Sequence, residues 1–188
     1  MNRLIVFNSV SLDGYFTGAN GDTSWAHSPK PDAEWDEFVQ GNASGDSRLV
    51  FGRVTYEIMA SYWPTPMALQ NSPAVAARMN ALPKLVFSRT LDKVSWSNTE
   101  LVKADLVAEM RKRKEEPGVD MAILGSGSIV SQLAQAGLID EYHVVVTPIV
   151  LGRGRTMFEG LEHKLNLKLT KSRAFGNGRV VLGYQPLK

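Results

Sequence analysis

Short apolar runs alternate along this chain with stretches of helical periodicity, and that alternation limits the fold more than any other feature of the sequence. Apolar runs lie near 3–9, 48–52, 84–88 and 120–124, and helical patterns near 33–41, 54–61, 73–81, 105–115 and 128–136. Strands separated by helices build βαβ units, which set successive strands parallel in one sheet. The carboxyl-terminal end departs from this rule. Glu141 to Thr147 is another apolar strand, and Leu165, Leu167 and Leu169 alternate with Asn166, Lys168 and Thr170, the period of two of a half-buried strand. Gly176-Asn177-Gly178 then supplies residues tolerant of positive φ, and Arg179 to Tyr184 returns as an antiparallel partner. The expectation is an α/β fold: a mostly parallel, mixed central sheet flanked by helices and finished by an antiparallel hairpin.

At 188 residues with 44% apolar content, the chain suits a single domain over 1–188 with one buried core. The net charge of +2 comes from interspersed Lys and Arg, and the one dense run, Arg111-Lys112-Arg113-Lys114, is offset at once by Glu115 and Glu116. A solvated helix end explains that run better than a nucleic-acid surface does. Cysteine is absent, which removes disulfides, thiolate nucleophiles and Cys-ligated zinc, and His27, His143 and His163 lack ligand spacing, so no metal is expected. The apolar run after Met1 is too brief for a signal or membrane segment, and the expected location is the cytoplasm.

In open α/β sheets, ligands bind beyond the carboxyl ends of the parallel strands. Those ends carry Ser11-Leu12-Asp13-Gly14, Gly52-Arg53-Val54-Thr55, Ser88-Arg89-Thr90 and Gly125-Ser126-Gly127-Ser128. The last joins an apolar strand directly to a helix. Glycine lets such a turn approach a ligand closely, and the helix's first N–H groups face any anion there. The same segment reads equally as a plain strand-to-helix turn with Ser126 or Ser128 as N-cap, and it matches neither GxGxxG nor a P-loop. Arg beside a hydroxyl makes a fork for a phosphate monoester, and a helix start suits a pyrophosphate. Together the set points to a phosphorylated dinucleotide.

These motifs resemble the dihydrofolate reductase-like superfamily, and within it the RibD carboxyl-terminal (riboflavin biosynthesis reductase) domain family. The resemblance rests on Ser-Leu-Asp-Gly at 11–14, Trp25, Phe-Gly-Arg-Val-Thr-Tyr-Glu at 51–57, Leu-Val-Phe-Ser-Arg at 85–89, Gly-Ser-Gly-Ser at 125–128, Gly-Leu-Ile-Asp-Glu at 137–141 and Pro-Ile-Val-Leu-Gly-Arg-Gly at 148–154, in order along the chain. It implies a three-layer fold with a twisted sheet, a homodimer, and NADPH-dependent hydride transfer to a C=N or C=O group of a small heterocycle. By position, Gly52, Arg53 and Thr55 would hold the cofactor phosphates, Ser88 and Arg89 its 2′-phosphate side, and Gly125, Ser126, Gly127 and Ser128 the pyrophosphate and nicotinamide. Asp13, Trp25 and Thr147 would lie beside the substrate.

Hydride transfer needs close positioning, exclusion of water and a proton for the product. Asp13 is the first candidate for a proton donor and Asp36 the second; Asp13-Gly14 is equally a turn dipeptide. A substrate-anchoring carboxylate is expected from Asp13, Asp32, Asp36 or Glu37, although Asp32 after Pro31 also reads as a helix N-cap. Trp25 and Trp63 fall in expected loops where a large ring covers a pocket. His143 reads as a hydrogen-bonded core or interface residue, and the valine-rich strand around it as a contributor to the dimer. A cofactor-binding sensor without turnover is the alternative. Preference between NADPH and NADH is left open.

Overall fold

Lys84–Phe87 is buried at every position, as a strand must be when helices cover both faces of its sheet. A computed structural model of the chain, which describes residues 1–27, 32–43 and 45–187, places that strand second from the edge of an eight-stranded sheet. In chain order the elements are β1 (Leu4–Ser11), β2 (Tyr15–Gly18), α1 (Ala33–Ala43), β3 (Arg48–Gly52), α2 (Arg53–Tyr62), α3 (Pro66–Asn71), α4 (Pro73–Ala81), β4 (Lys84–Phe87), β5 (Thr99–Val102) and α5 (Leu106–Glu115). There follow β6 (Met121–Leu124), α6 (Gly127–Gln135), β7 (Glu141–Thr147), β8 (Gly154–Thr156), β9 (Leu167–Ala174) and β10 (Val180–Pro186).

The sheet order is β5-β4-β3-β6-β1-β7-β10-β9. Every pair from β5 to β7 is parallel, and β10 then turns antiparallel against both β7 and β9. The expected fold class therefore stands. Alternate side chains divide the core into two layers. Val50, Leu85, Ile123, Met121 and Val6 face α5 and α6, where they pack with Met110, Val130 and Leu133. Leu49, Phe51 and Val86 face the other way, toward Tyr56 of α2 and Met79 of α4. On that second face, Val145 and Val181 lie under Trp35 and Phe38 of α1.

Local chemistry sets the helix starts. Asp105 accepts from the Ala108 N–H at 2.9 Å, Thr65 accepts from the Ala68 N–H with Pro66 next to it, and Asp32 accepts from Glu34 and Trp35 N–H at 3.1 Å each. Each is a side-chain oxygen meeting an orphan first-turn donor. Asp32 thus fills the N-cap role expected of it.

Four elements were not legible as separate units. β2 and β8 are four and three residues long and pair only with each other in a small antiparallel ribbon. β5 is a four-residue edge strand with a single buried side chain, Val102. α3 is six residues, started by the Thr65-Pro66 cap. β7 is interior to the sheet, paired along one side with β1 and along the other with β10. Its backbone edges are unavailable to a second copy.

Candidate functional site

Because β4, β3, β6, β1 and β7 are consecutive and parallel, their carboxyl ends share one edge of the sheet. That edge brings together Ser88-Arg89, Gly52-Arg53, Gly125 to Ser128, Ser11 to Asp13 and Thr147. The strand ends of β3 and β6 touch. The Gly52 N–H donates to Ser126 Oγ at 2.7 Å, and the Ser126 N–H donates to Thr55 Oγ1 at 2.9 Å.

Gly125 and Ser126 adopt φ of 67° and 58°, two left-handed residues in succession. At Gly125 no other residue fits, since a Cβ there would lie 2.6 Å from Thr55 Cγ2. Asn8 on β1, buried at 4% exposure, holds the same glycine by both backbone groups. Its Oδ1 accepts from the Gly125 N–H at 2.5 Å, and its Nδ2 donates to the Gly125 carbonyl at 3.2 Å. A strained turn so held from two neighbouring strands is fixed before any ligand arrives.

The arrangement corrects the expected role of Ser126. It occupies the N-cap position of α6, yet its hydroxyl is committed to Gly52 and gives the helix no side-chain cap. Gly52 likewise starts α2 without one. Two helix N-termini therefore meet at the β3–β6 crevice, and beyond the N–H groups of Gly52 and Ser126 themselves no cap side chain satisfies their first-turn donors among the described residues. Each carries partial positive charge. A dinucleotide diphosphate would fit such a donor set, with the α2 start on one side and the α6 start on the other.

Arg53, at the first position of α2, pairs with Glu57 at 3.0 Å while half-exposed. Ser88 Oγ accepts from Thr90 and Leu91 N–H at 3.2 and 3.0 Å, shaping the turn after β4. Arg89 projects from that turn, exposed, with no ion pair among the described residues. It is a cation placed to meet a phosphate monoester one strand from the crevice. A cleft of about 260 Å³ opens on the other side of the α6 start, lined by Phe16, Thr17, Gly127, Ser128, Arg155 and Thr156.

The carboxylates are arranged otherwise than expected. Asp13 Oδ1 accepts from the Ser11 hydroxyl at 2.6 Å and the Leu151 N–H at 3.1 Å, and Oδ2 accepts from the Gly152 N–H at 2.7 Å. Led by the Ser11 hydroxyl, these donors hold its carboxyl below the usual carboxylate range. Asp13, the first candidate for a proton donor, has a carboxyl with its pKa lowered and braces the loop after β7. Asp36 and Glu37 are exposed on α1, whose Trp35 and Phe38 take the inward face. Asp32, besides capping α1, accepts from the Asn177 N–H at 2.7 Å.

Of the other expected residues, Thr147 lies at the end of β7 opposite Ser11 of β1. It is 6% exposed, and its hydroxyl has no hydrogen-bond partner. Trp25 is half-buried in a single 3-10 turn, Ser24–Ala26, its indole donating to the Asp22 carbonyl at 3.0 Å. Trp63 ends α2, donates to Met59 Sδ and packs, half-buried, against the core beneath that helix. His143 is half-buried, 3.1 Å from Glu141.

Sequence reasoning missed Asn8, which sits on an apolar strand with no motif to mark it.

A central parallel sheet between helix layers, an antiparallel carboxyl-terminal hairpin and a glycine turn set against a helix start define a dihydrofolate reductase-like domain. The chain belongs to the RibD C-terminal domain family, whose model matches residues 2–181. It is similar to YyaP of Bacillus subtilis (strain 168), an uncharacterized protein, with 27% identity over 182 residues, 97% of this chain and 94% of YyaP. Among solved structures it is similar to a protein of Shewanella sp. PV-4 named for riboflavin biosynthesis, with 25% identity, 99% of each chain and a TM-score of 0.72. A dihydrofolate reductase from Enterococcus faecalis, solved with NADP(H), shares the fold at 13% identity, covering 99% of this chain and 97% of that one with a TM-score of 0.64. Among the described residues no helix is long and apolar enough to cross a membrane, and no cluster of three or more metal-ligating side chains occurs.

Proposed function

We propose that this protein is an NADPH-dependent reductase that transfers a hydride to a C=N or C=O group of a small heterocycle, a pteridine, pyrimidine or relative. The observation that carries the reading is the β3–β6 crevice, where two helix N-termini without side-chain caps converge on a turn locked by Asn8, Ser126 and Thr55. Family membership and the NADP(H)-bound reductase of the same fold support it.

In this reading NADPH supplies the hydride. Gly52 to Thr55 and Gly125 to Ser128 bind its diphosphate, and Arg89, with Arg53 in support, reads the 2′-phosphate. Gly125 and Gly127 keep backbone, rather than side chain, beneath the reactive ring. Thr147 Oγ1 donates a hydrogen bond to the heterocycle at the end of β7. The proton for the product comes from solvent or substrate, since the carboxylate of Asp13 is held ionised by its donors.

Titration with NADPH and NADH, followed by calorimetry on wild type, Arg53→Ala and Arg89→Ala, tests the cofactor half. The reading expects Arg89→Ala to weaken NADPH by about tenfold or more while leaving NADH nearly unchanged, the effect of removing one charge-assisted contact. Binding of neither nucleotide by wild type refutes it. The one observation favouring a sensor without turnover is the same engaged Asp13. NADPH bound tightly but never oxidised by pteridine, pyrimidine or quinonoid acceptors would select that reading. Sedimentation at micromolar concentration tests the accompanying homodimer, which a monomer would remove.

A further inference from the structure

Asn8 is an amide where the pattern of its strand calls for an apolar side chain. It follows Leu4 and Val6 on the buried face of β1, and those two belong to the core beneath α5 and α6. Burying a primary amide costs free energy unless donor and acceptor both find partners, so its presence there calls for a reason.

Its three hydrogen bonds supply one. Oδ1 accepts from the Gly125 N–H at 2.5 Å, and Nδ2 donates to the Gly125 carbonyl and to Met157 Sδ, each at 3.2 Å. The N–H and the carbonyl of Gly125 belong to the two peptide planes on either side of its Cα. One amide therefore sets both backbone dihedrals of that left-handed residue. The second plane is also held at its far end, where the Ser126 N–H donates to Thr55 Oγ1. A hydroxyl is a single atom and an ionised carboxylate has no donor, so neither could replace the amide here. The next two N–H groups, those of Gly127 and Ser128, open α6 with no side-chain cap, and their direction follows from the Gly125 peptide.

Met157, 2% exposed and one residue beyond β8, decides which way the amide faces. A thioether accepts but does not donate, so Nδ2 must point to it and Oδ1 is left for the Gly125 N–H. Reversed, the amide would set Oδ1 against both the sulfur and the Gly125 carbonyl.

We propose that Asn8 is a positioning residue for the nicotinamide half of the cofactor, aiming the Gly127 and Ser128 N–H groups at the nicotinamide-side phosphate, and that Met157 orients Asn8. This rests on the reductase reading in taking the ligand to be NADPH.

The test titrates the full chain by calorimetry with NADPH and, separately, with adenosine 2′,5′-bisphosphate, which spans the Arg89 side and the α2 start but has no nicotinamide half. Asn8→Asp keeps the acceptor and loses the donor. At about pH 8 it binds NADPH about tenfold more weakly than wild type does, while its affinity for the bisphosphate stays within about twofold. A buried carboxyl facing an acceptor takes up a proton above the usual carboxylate range, and its O–H then donates to the Gly125 carbonyl. At about pH 6 the NADPH affinity of Asn8→Asp therefore returns toward that of wild type at the same pH. Should Asn8→Asp fail to fold, Met157→Leu, which keeps the volume and removes the sulfur, carries the comparison: NADPH weakens about threefold and the bisphosphate is unchanged. Wild-type NADPH affinity in the variants, an equal loss of both ligands, or a loss in Asn8→Asp that does not shrink at the lower pH overturns the proposal and leaves the reductase reading standing. Wild type that fails to bind NADPH refutes that reading, and this inference with it.

Discussion

Replacing Gly125 by alanine tests the locked turn most severely. The new Cβ would lie 2.6 Å from Thr55 Cγ2 and 2.9 Å from Thr55 Oγ1, on a backbone at φ 67°. Alanine in the left-handed region costs about 1–2 kcal/mol. Thr55 is β-branched and sits on the first turn of α2, so it cannot swing away freely, and overpacking of this kind costs about 1–3 kcal/mol. Its rotation would also break the bond from the Ser126 N–H, about 1 kcal/mol more. The sum is about 3–6 kcal/mol, to be read from urea unfolding followed by tryptophan fluorescence. Thr55→Ala removes both clashing atoms, leaving Thr55 Cβ at 3.3 Å. In that background the cost of Gly125→Ala should fall by about 2 kcal/mol, the remainder being backbone strain. A cost below about 1 kcal/mol in wild type, or an unchanged cost in Thr55→Ala, would refute the reasoning.

Asn8→Ala leaves both backbone groups of Gly125 without their partner, and about 2–4 kcal/mol of stability should be lost in the same unfolding assay. Asp13→Asn removes an acceptor from the loop after β7. Since the folded-state pKa of Asp13 lies below its ordinary value of 3.8, its contribution is full above that value and lost as pH falls through the folded one. Wild type should therefore lose stability more steeply than Asp13→Asn below that pH; parallel acid-unfolding curves would count against the brace. Burial pushes the Lys84 ammonium from 10.5 down to about 8, although the carbonyls of Asn80, Leu82 and Ser97 accept from it. Above pH 8 the folded state releases this proton while the unfolded chain keeps it, so wild type should gain stability relative to Lys84→Met as pH rises from about 8 toward 10. A difference flat with pH would show that those carbonyls hold the proton after all.

How much of this was legible in the sequence follows from how local each signal is. The apolar centres of the runs at 48–52, 84–88 and 120–124, Leu49–Phe51, Leu85–Phe87 and Met121–Leu124, reflect strands covered on both faces, and they marked the parallel sheet and thus the edge that Gly52, Arg89 and Gly125 share. What those residues do with their atoms was not legible. Ser126 has the composition of an N-cap, but its hydroxyl belongs to Gly52, 74 positions away in sequence. Asp13 reads as a turn dipeptide or an acid, and only the Leu151 and Gly152 donors, brought in from the loop after β7, decide for the brace. Asn8 draws its significance from Gly125 and Met157, 117 and 149 positions away, which leave no mark on an apolar strand. The β2–β8 ribbon escaped because strands of four and three residues are too short to show a period.

In the proposed reading NADPH lies across the β3–β6 crevice. Hydrogen exchange of the full chain with and without NADPH measures it directly. Exchange should slow at the starts of α2 and α6, residues 53–55 and 127–130, and in the turn after β4, with little change in β9 and β10. Bound NADPH that leaves both helix starts unprotected, or that protects only the cleft around Arg155 and Thr156, would contradict the account.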